Sequence, residues 1–285
     1  MVILRSLADL AQWQDSVSWH QGKGGFVPTM GALHEGHSSL IRHAVRSSDQ
    51  VVVSILVNPT QFNDSQDFNR YPRTLDSDAK AVKSAGAHAV FAPSPEELYR
   101  GTPHAPHVNW GALTHGYEGV HRPGHFDGVI AVVDLLFSAV RPRLAVFGEK
   151  DLQQVAVVQR LARERHPNVR IDVGSLVRDA NGLALSSRNI RLGQEGSREA
   201  LALSNTLFQL RDELVPEMDS HAWEACLKRA ADALDNSPGV TLEYLDTVDA
   251  TTFKPARSLE TQPVHAVVAA VVRGVRLIDN VSLMA

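Results

Sequence analysis

Two histidines three residues apart, His34 and His37, stand in the stretch Gly25-Phe-Val-Pro-Thr-Met-Gly-Ala-Leu-His-Glu-Gly-His-Ser-Ser-Leu-Ile41. The letters read as an apolar strand end, a glycine-bearing turn and then an amphipathic helix, with His34 just before the helix and His37 in or near its first turn. The unpaired N–H groups of a helix start, and the positive end of its dipole, favour a phosphate. Two imidazoles beside such a site can donate hydrogen bonds to phosphate oxygens as negative charge develops. This is not the metalloprotease pattern, which needs two histidines four apart on one helical face. A zinc pair and two merely structural histidines stay open as alternatives, while strand, turn, glycine and helix all agree with phosphate contact.

Other segments carry compatible chemistry. Asn58-Pro-Thr-Gln-Phe62 follows the most apolar strand, so its polar side chains fall at a carboxyl end, and the Gln61 amide can both donate to and accept from a small polar substrate. Phe147-Gly-Glu-Lys-Asp-Leu-Gln-Gln154 also follows a strand and opens a helix. Gly148 permits close backbone approach, Lys150 can reach a phosphate, and Asp151 can cap the helix or bind a ribose hydroxyl. One amide of the Gln153–Gln154 pair can face a pocket. In Leu183-Ala-Leu-Ser-Ser-Arg-Asn189, two hydroxyls and the Arg188 guanidinium can clamp a triphosphate. Arg122-Pro-Gly-His-Phe-Asp-Gly128 offers a second cation, Arg122, whereas His104, His107, His115 and His121 read as loop residues without a role. Neither a Gly-x-x-x-x-Gly-Lys-Ser/Thr loop nor a Gly-x-Gly-x-x-Gly after a strand is present, which disfavours P-loop and dinucleotide chemistry. A His-x-Gly-His turn points instead to nucleotidyl transfer, with attack at an α-phosphate and departure of pyrophosphate.

These segments need a scaffold that gathers loops. Strands are expected at 24–27, 50–57, 88–92, 144–147 and 169–173, with helices at 38–47, 75–85, 128–140 and 152–165 between them. That alternation predicts an α/β fold with a parallel sheet, helices on both sides, and ligands beyond the carboxyl ends of the strands. After about residue 178 the rhythm changes to helices at 198–213 and 221–234 and strands at 241–248, 264–272 and 275–278, the last two joined by a tight hairpin at Arg273-Gly274. The expected division is residues 1–178 and a smaller α+β domain at 179–285.

Composition narrows the class. At 285 residues, 44% hydrophobic and 21% charged, the chain has the makeup of a globular enzyme. A net charge of −4 without a long Lys/Arg run gives no nucleic-acid surface. A single cysteine, Cys226, excludes an internal disulfide and fits a buried helix position in a reducing compartment. The first residues lack a signal-peptide pattern and no segment is long and apolar enough for a membrane span, so a cytoplasmic location is expected.

Six separated motifs in order, at 28–37, 58–62, 71–74, 122–129, 147–154 and 185–189, together resemble the pantothenate synthetases (pantoate–β-alanine ligases) nearly end to end. The resemblance implies a Rossmann-like nucleotidyltransferase domain, a smaller C-terminal domain that helps close the site, a homodimer, and ATP with its Mg²⁺ as substrate rather than a protein-held metal. It implies two steps: pantoate and ATP form pantoyl adenylate, and β-alanine then displaces AMP to give pantothenate. It places ATP against Met30, Gly31, Ala32, Leu33, His34, Glu35, Gly36 and His37, against Gly148, Glu149, Lys150 and Asp151, and against Val177, Leu185, Ser186, Ser187 and Arg188. Pantoate falls to Gln61 and Gln154, and catalysis to His34, His37, Lys150 and Arg188. Leu152, where an aromatic is more usual, and the polar Asn63-Asp-Ser65 depart from the pattern without removing a residue of proposed role. An adenylyltransferase acting on a phosphorylated acceptor, or a nucleotide-binding regulator without turnover, are the rival functions.

Overall fold

The computed structural model describes residues 1–259 and 263–284. Parallel strands β1 (Val2–Leu4), β2 (Gly24–Thr29), β3 (Gln50–Ile55), β4 (Ala89–Phe91), β5 (Leu144–Gly148) and β6 (Arg170–Gly174) form one sheet in the order β1-β4-β3-β2-β5-β6. Successive side chains on a strand point to opposite faces. Phe26 and Val52 accordingly pack in one core with helices Leu7–Ser16, His125–Val140 and Leu152–Arg165. Val27, Val51 and Val53 pack in another with helices Glu35–Ser47 and Leu75–Ser84. Because β3 is buried on both faces, its central residues read as a continuous valine run. The chain winds from β2 through β3 towards one edge and then crosses to β5 on the other side of β2. That reversal opens a crevice at the carboxyl ends of β2 and β5.

A second, antiparallel sheet contains β7 (Val240–Asp249), β8 (Val264–Val272) and β9 (Val275–Ser282). Helices Gly193–Glu213 and Ser220–Asp235 cover one face, with Leu203, Leu207 and Trp223 against Ala266, Val268 and Ala270. Val248 and Val267 belong instead to the core shared with the large sheet, so the two sheets are packed together. Arg273 and Gly274 both take positive φ (49° and 76°), the requirement of a two-residue turn that follows the strand twist. Cys226 is buried, and burial followed by the neighbouring Glu213 carboxylate pushes its thiol up to about 11. Among the described residues no helix is long and apolar enough to cross a membrane.

The structure moves several boundaries. Helix Glu35–Ser47 starts three residues before the expected Ser38, helix His125–Val140 three before Gly128, and helix Gly193–Glu213 five before Arg198. The turns added at 35–37 and 193–197 are polar and glycine-bearing and lack the apolar period that signals a helix, whereas Phe126 continues the buried period of Val129, Ile130 and Val133 but stands between Gly124 and Gly128, which read as a turn. Strand β1 and the short helices Ser65–Arg70, Pro95–Tyr99, Ala112–His115 and Glu118–His121 fall outside every expected element. The last two correct the assignment of His115 and His121 to loops. Strand β9 runs four residues past Ile278, because Asp279 and Asn280 break the apolar pattern yet are buried in tertiary hydrogen bonds.

Candidate active site

The turn after β2 is held from within. Thr29 Oγ1 donates to the Ser54 carbonyl oxygen at 2.6 Å and accepts from Gly31 N–H at 3.3 Å. Gly31 and Ala32 take positive φ (86° and 51°), which turns the next two N–H groups towards a buried carboxylate. Asp78 accepts from Ala32 N–H at 3.0 Å, Leu33 N–H at 2.8 Å and Thr74 Oγ1 at 3.0 Å. The chain therefore enters helix Glu35–Ser47 along a single path.

His34 caps that helix, and His37 is its third residue. His34 Nδ1 accepts from Gly36 N–H at 3.2 Å, and His37 Nδ1 accepts from His34 N–H at 3.3 Å. An imidazole nitrogen that accepts carries no proton, so each neutral ring holds its hydrogen on Nε2. Burial, followed by the Lys150 charge, brings the His34 pKa down to about 4, with Asp151 opposing. Burial, His34 and Lys150 bring His37 to about 3. Near neutral pH the site thus offers two uncharged Nε2–H donors, their ring centres 4.2 Å apart.

A cavity of about 210 Å³ lies over the carboxyl ends of β2 and β5, and both histidines line it. Gln61 forms part of its floor. The Gln61 Oε1 accepts from Asn58 Nδ2 at 3.2 Å, and its Nε2 lies 3.0 Å from Met30 Sδ. Asn58 is fixed in turn, donating to the Gly128 carbonyl oxygen at 3.2 Å and accepting from Tyr99 Oη at 3.0 Å. His125 donates from Nδ1 to the Gln61 carbonyl oxygen at 2.9 Å, which leaves Nε2 to accept from Arg122 at 3.1 Å. Burial and then the Arg122 charge bring His125 to about 3.

Cations ring the cavity. Lys150 and Arg188 line both it and an adjoining charged cleft that contains Arg191 and Arg276. Arg188 donates to Asp67 at 2.6 Å and lies over the Tyr71 ring, 5.9 Å from its centre. Arg122 stands 3.6 Å from Glu118, which accepts two bonds from Arg276, at 2.8 and 2.6 Å, and one from Tyr244 Oη at 2.8 Å. Burial alone would lift the Glu118 carboxyl, but Arg276 and Arg122 hold it at about 2.

A family profile described as pantoate-beta-alanine ligase matches residues 2–282. A pantothenate synthetase of Bacteroides fragilis (strain YCH46) is 43% identical over 283 residues, covering 99% of this chain and 98% of the relative. Another, of Corynebacterium glutamicum (strain R), is 44% identical over 270 residues, 93% of this chain and 95% of that protein. The chain belongs to the pantoate–β-alanine ligase family. The pantothenate synthetase of Thermus thermophilus has the same fold, with a TM-score of 0.88 and 36% identity over 100% of both chains. So does the pantoate-beta-alanine ligase of Francisella tularensis, solved with beta-gamma ATP and beta-alanine, with a TM-score of 0.79 and 31% identity over 100% of this chain and 98% of that one.

Within this ligase-family chain the cavity gathers Met30, His34, Gly36, His37, Gln61, Gly148, Lys150, Asp151, Gln154, Val177, Leu185, Ser186, Ser187 and Arg188. Gly31, Ala32 and Leu33 instead form the turn clamped by Asp78. Glu35 points outward to Arg42, and Glu149 accepts from Leu176 N–H at 3.0 Å. The glutamine pair separates: Gln154 lines the cavity, while Gln153 is buried and bonds Glu118 N–H and the Leu113 and Gly116 carbonyl oxygens. Asp151 occupies the cap position of helix Leu152–Arg165 without a side-chain capping bond, so that alternative falls. The zinc alternative finds no cluster of three His, Cys, Asp or Glu among the described residues. Two further cavity residues, Tyr71 and His125, have no role in the sequence reading. Both sit inside quoted motifs, Tyr71-Pro-Arg-Thr74 and Arg122–Gly128, and that is the available signal.

Proposed function

We propose that this cavity joins (R)-pantoate to β-alanine at the expense of ATP, through a pantoyl adenylate. A pantoate carboxylate oxygen attacks the α-phosphorus of ATP, the bond to the bridging β-phosphate oxygen breaks, and pyrophosphate leaves. The β-alanine amine, having lost its proton, then attacks the acyl carbon, the bond to the phosphate oxygen breaks, and pantothenate and AMP are released. The two Nε2–H donors left available by the backbone bonds of His34 and His37 carry this assignment. They can bond phosphate oxygens without having to gain or lose a proton.

The chemical difficulty of the first step is the approach of a carboxylate to a polyanion. Fixed positive potential answers it: the start of helix Glu35–Ser47, the two imidazole N–H groups, Lys150 and Arg188. Gln61 and Gln154 hold pantoate, and Ser186 and Ser187 join Arg188 on the phosphates. In this reading Mg²⁺ enters with ATP as part of the substrate. A division at residues 178 and 179, a homodimer and a cytoplasmic location complete the proposal. Exchange of labelled pyrophosphate into ATP tests it. Exchange that requires pantoate is expected; exchange without pantoate, or none with it, would remove the adenylate route.

A further inference from the structure

Asn280 lies on β9 of the small sheet, yet its side chain serves the large one. It is only 4% exposed. Its Nδ2 donates to the carbonyl oxygens of Glu149 and Lys150, at 2.9 and 3.2 Å. Its Oδ1 is 3.2 Å from His265 Nδ1 on β8, and its backbone N–H donates to Asp279 Oδ1 at 2.7 Å. Asp279 accepts from both terminal nitrogens of Arg178, at 2.7 and 2.8 Å, and Arg178 also donates to the Asn280 carbonyl oxygen at 3.1 Å. Two successive residues of β9 thus anchor the segment that carries Lys150 and the start of the segment that leads to Arg188.

Lys150 stands in one 3-10 turn, Glu149–Asp151, between β5 and a helix that has no side-chain cap. Its flexible stem can aim the ammonium only if the peptide beneath is fixed. An amide nitrogen suits that purpose, because it has two hydrogens, one for each carbonyl oxygen, and brings no charge to compete for phosphate. We propose that Asn280 is a positioning residue, which places Lys150 against the nucleotide phosphates by holding the Glu149–Lys150 peptides. This rests on the adenylate chemistry proposed above. The small sheet then shapes the nucleotide site from behind, without touching the nucleotide through this residue.

The test is a double-mutant cycle on the whole protein, read by pantoate-dependent pyrophosphate exchange. Asn280→Ala should lower kcat by about 10²-fold, the scale of a misplacement near 1 Å, with the KM for pantoate within about threefold of wild type. In a Lys150→Ala background the same change should cost no more than about threefold, because the group it positions is already gone. Losses that multiply, or a folded Asn280→Ala variant with undiminished kcat, overturn the proposal. If thermal unfolding shows that Asn280→Ala does not fold, Asn280→Ser takes its place in the cycle; it keeps one donor, and about tenfold loss is expected. Wild-type protein without exchange would overturn the adenylate chemistry and this inference together. Wild-type exchange with an indifferent Asn280 overturns this inference alone.

Discussion

The backbone N–H of His34 donates to Nδ1 of His37 across 3.3 Å, so the second histidine helps cap the helix that the first one begins. The bond fixes a tautomer as well as a position. It makes the His37 ring an Nε2–H donor to whatever occupies the cavity, and the matching bond from Gly36 does the same for His34.

Truncation at either end of this arrangement should damage chemistry more than folding. His37→Ala, and Lys150→Ala opposite it, should each lose about 3–4 kcal/mol of transition-state stabilisation, roughly 10²–10³ in the rate of adenylate formation. Pyrophosphate exchange and circular dichroism on the same samples check this. Near-full exchange in a folded variant would remove that residue from the mechanism.

The tautomers themselves are measurable. Nitrogen-15 spectra near pH 7 should show His34 and His37 neutral with the proton on Nε2, and His125 neutral with the proton on Nδ1. An imidazolium pattern for any of the three at that pH would contradict the geometry.

Stability should fall on the acid side in a defined order. His34, His37 and His125 have folded-state values of about 4, 3 and 3, below the ordinary 6.5, chiefly because burial disfavours the charged ring. The unfolded chain therefore binds protons first, and the stability present above pH 6.5 is lost as the pH falls below it. Glu118, held at about 2 against an ordinary 4.5, adds a second loss as the pH falls through that interval. Thermal midpoints measured from pH 7.5 to 3 should decline continuously below 6.5. A flat profile down to pH 4.5 would refute the histidine contribution.

Arg276→Ala should leave the buried Glu118 carboxylate without its main partner. Removing one member of such a pair costs about 3 kcal/mol or more. The urea midpoint should drop accordingly, and replacing both residues, as in Glu118→Gln with Arg276→Met, should cost less than the single change. An unaltered midpoint for Arg276→Ala would show that Glu118 is solvated in solution.

Gly128→Ala tests the floor of the cavity from a distance. A Cβ there would overlap the Thr60 carbonyl oxygen and the Gln61 backbone nitrogen, and Gly128 itself accepts from Asn58. The turn bearing Gln61 must then shift, with a destabilisation of about 1–3 kcal/mol and a raised KM for pantoate. Kinetics and unfolding with wild-type values would show that the helix can move away instead.

Much of this protein is legible in its letters because the features concerned are local. The valine run of β3, the apolar stripe of helix Glu35–Ser47 and the Arg273-Gly274 turn each depend on neighbours a few residues away, and each forms where expected. The same holds for the loops that follow β2, β3 and β5, since a strand that ends at the rim of a parallel sheet delivers its next residues to the crevice.

Long-range contacts decided the rest. Periodicity could not separate Gln153 from Gln154; the packing of Glu118–His121 against the helix start did, by taking Gln153 for structure. Asp279 and Asn280 lie beyond the strand expected at 275–278, and only Arg178 and the Glu149–Lys150 turn supply the partners that keep them in it. Residue types and short spacings determined which chemistry this chain can offer and roughly where its elements lie. The tertiary structure alone determined the His125 tautomer, which the Gln61 carbonyl oxygen sets, and which polar residues face the cavity rather than hold it in shape. Those outcomes depend on hydrogen bonds between residues far apart in the chain, 131 positions for Asn280 and Glu149 and 158 for Arg276 and Glu118, pairings that no local pattern encodes.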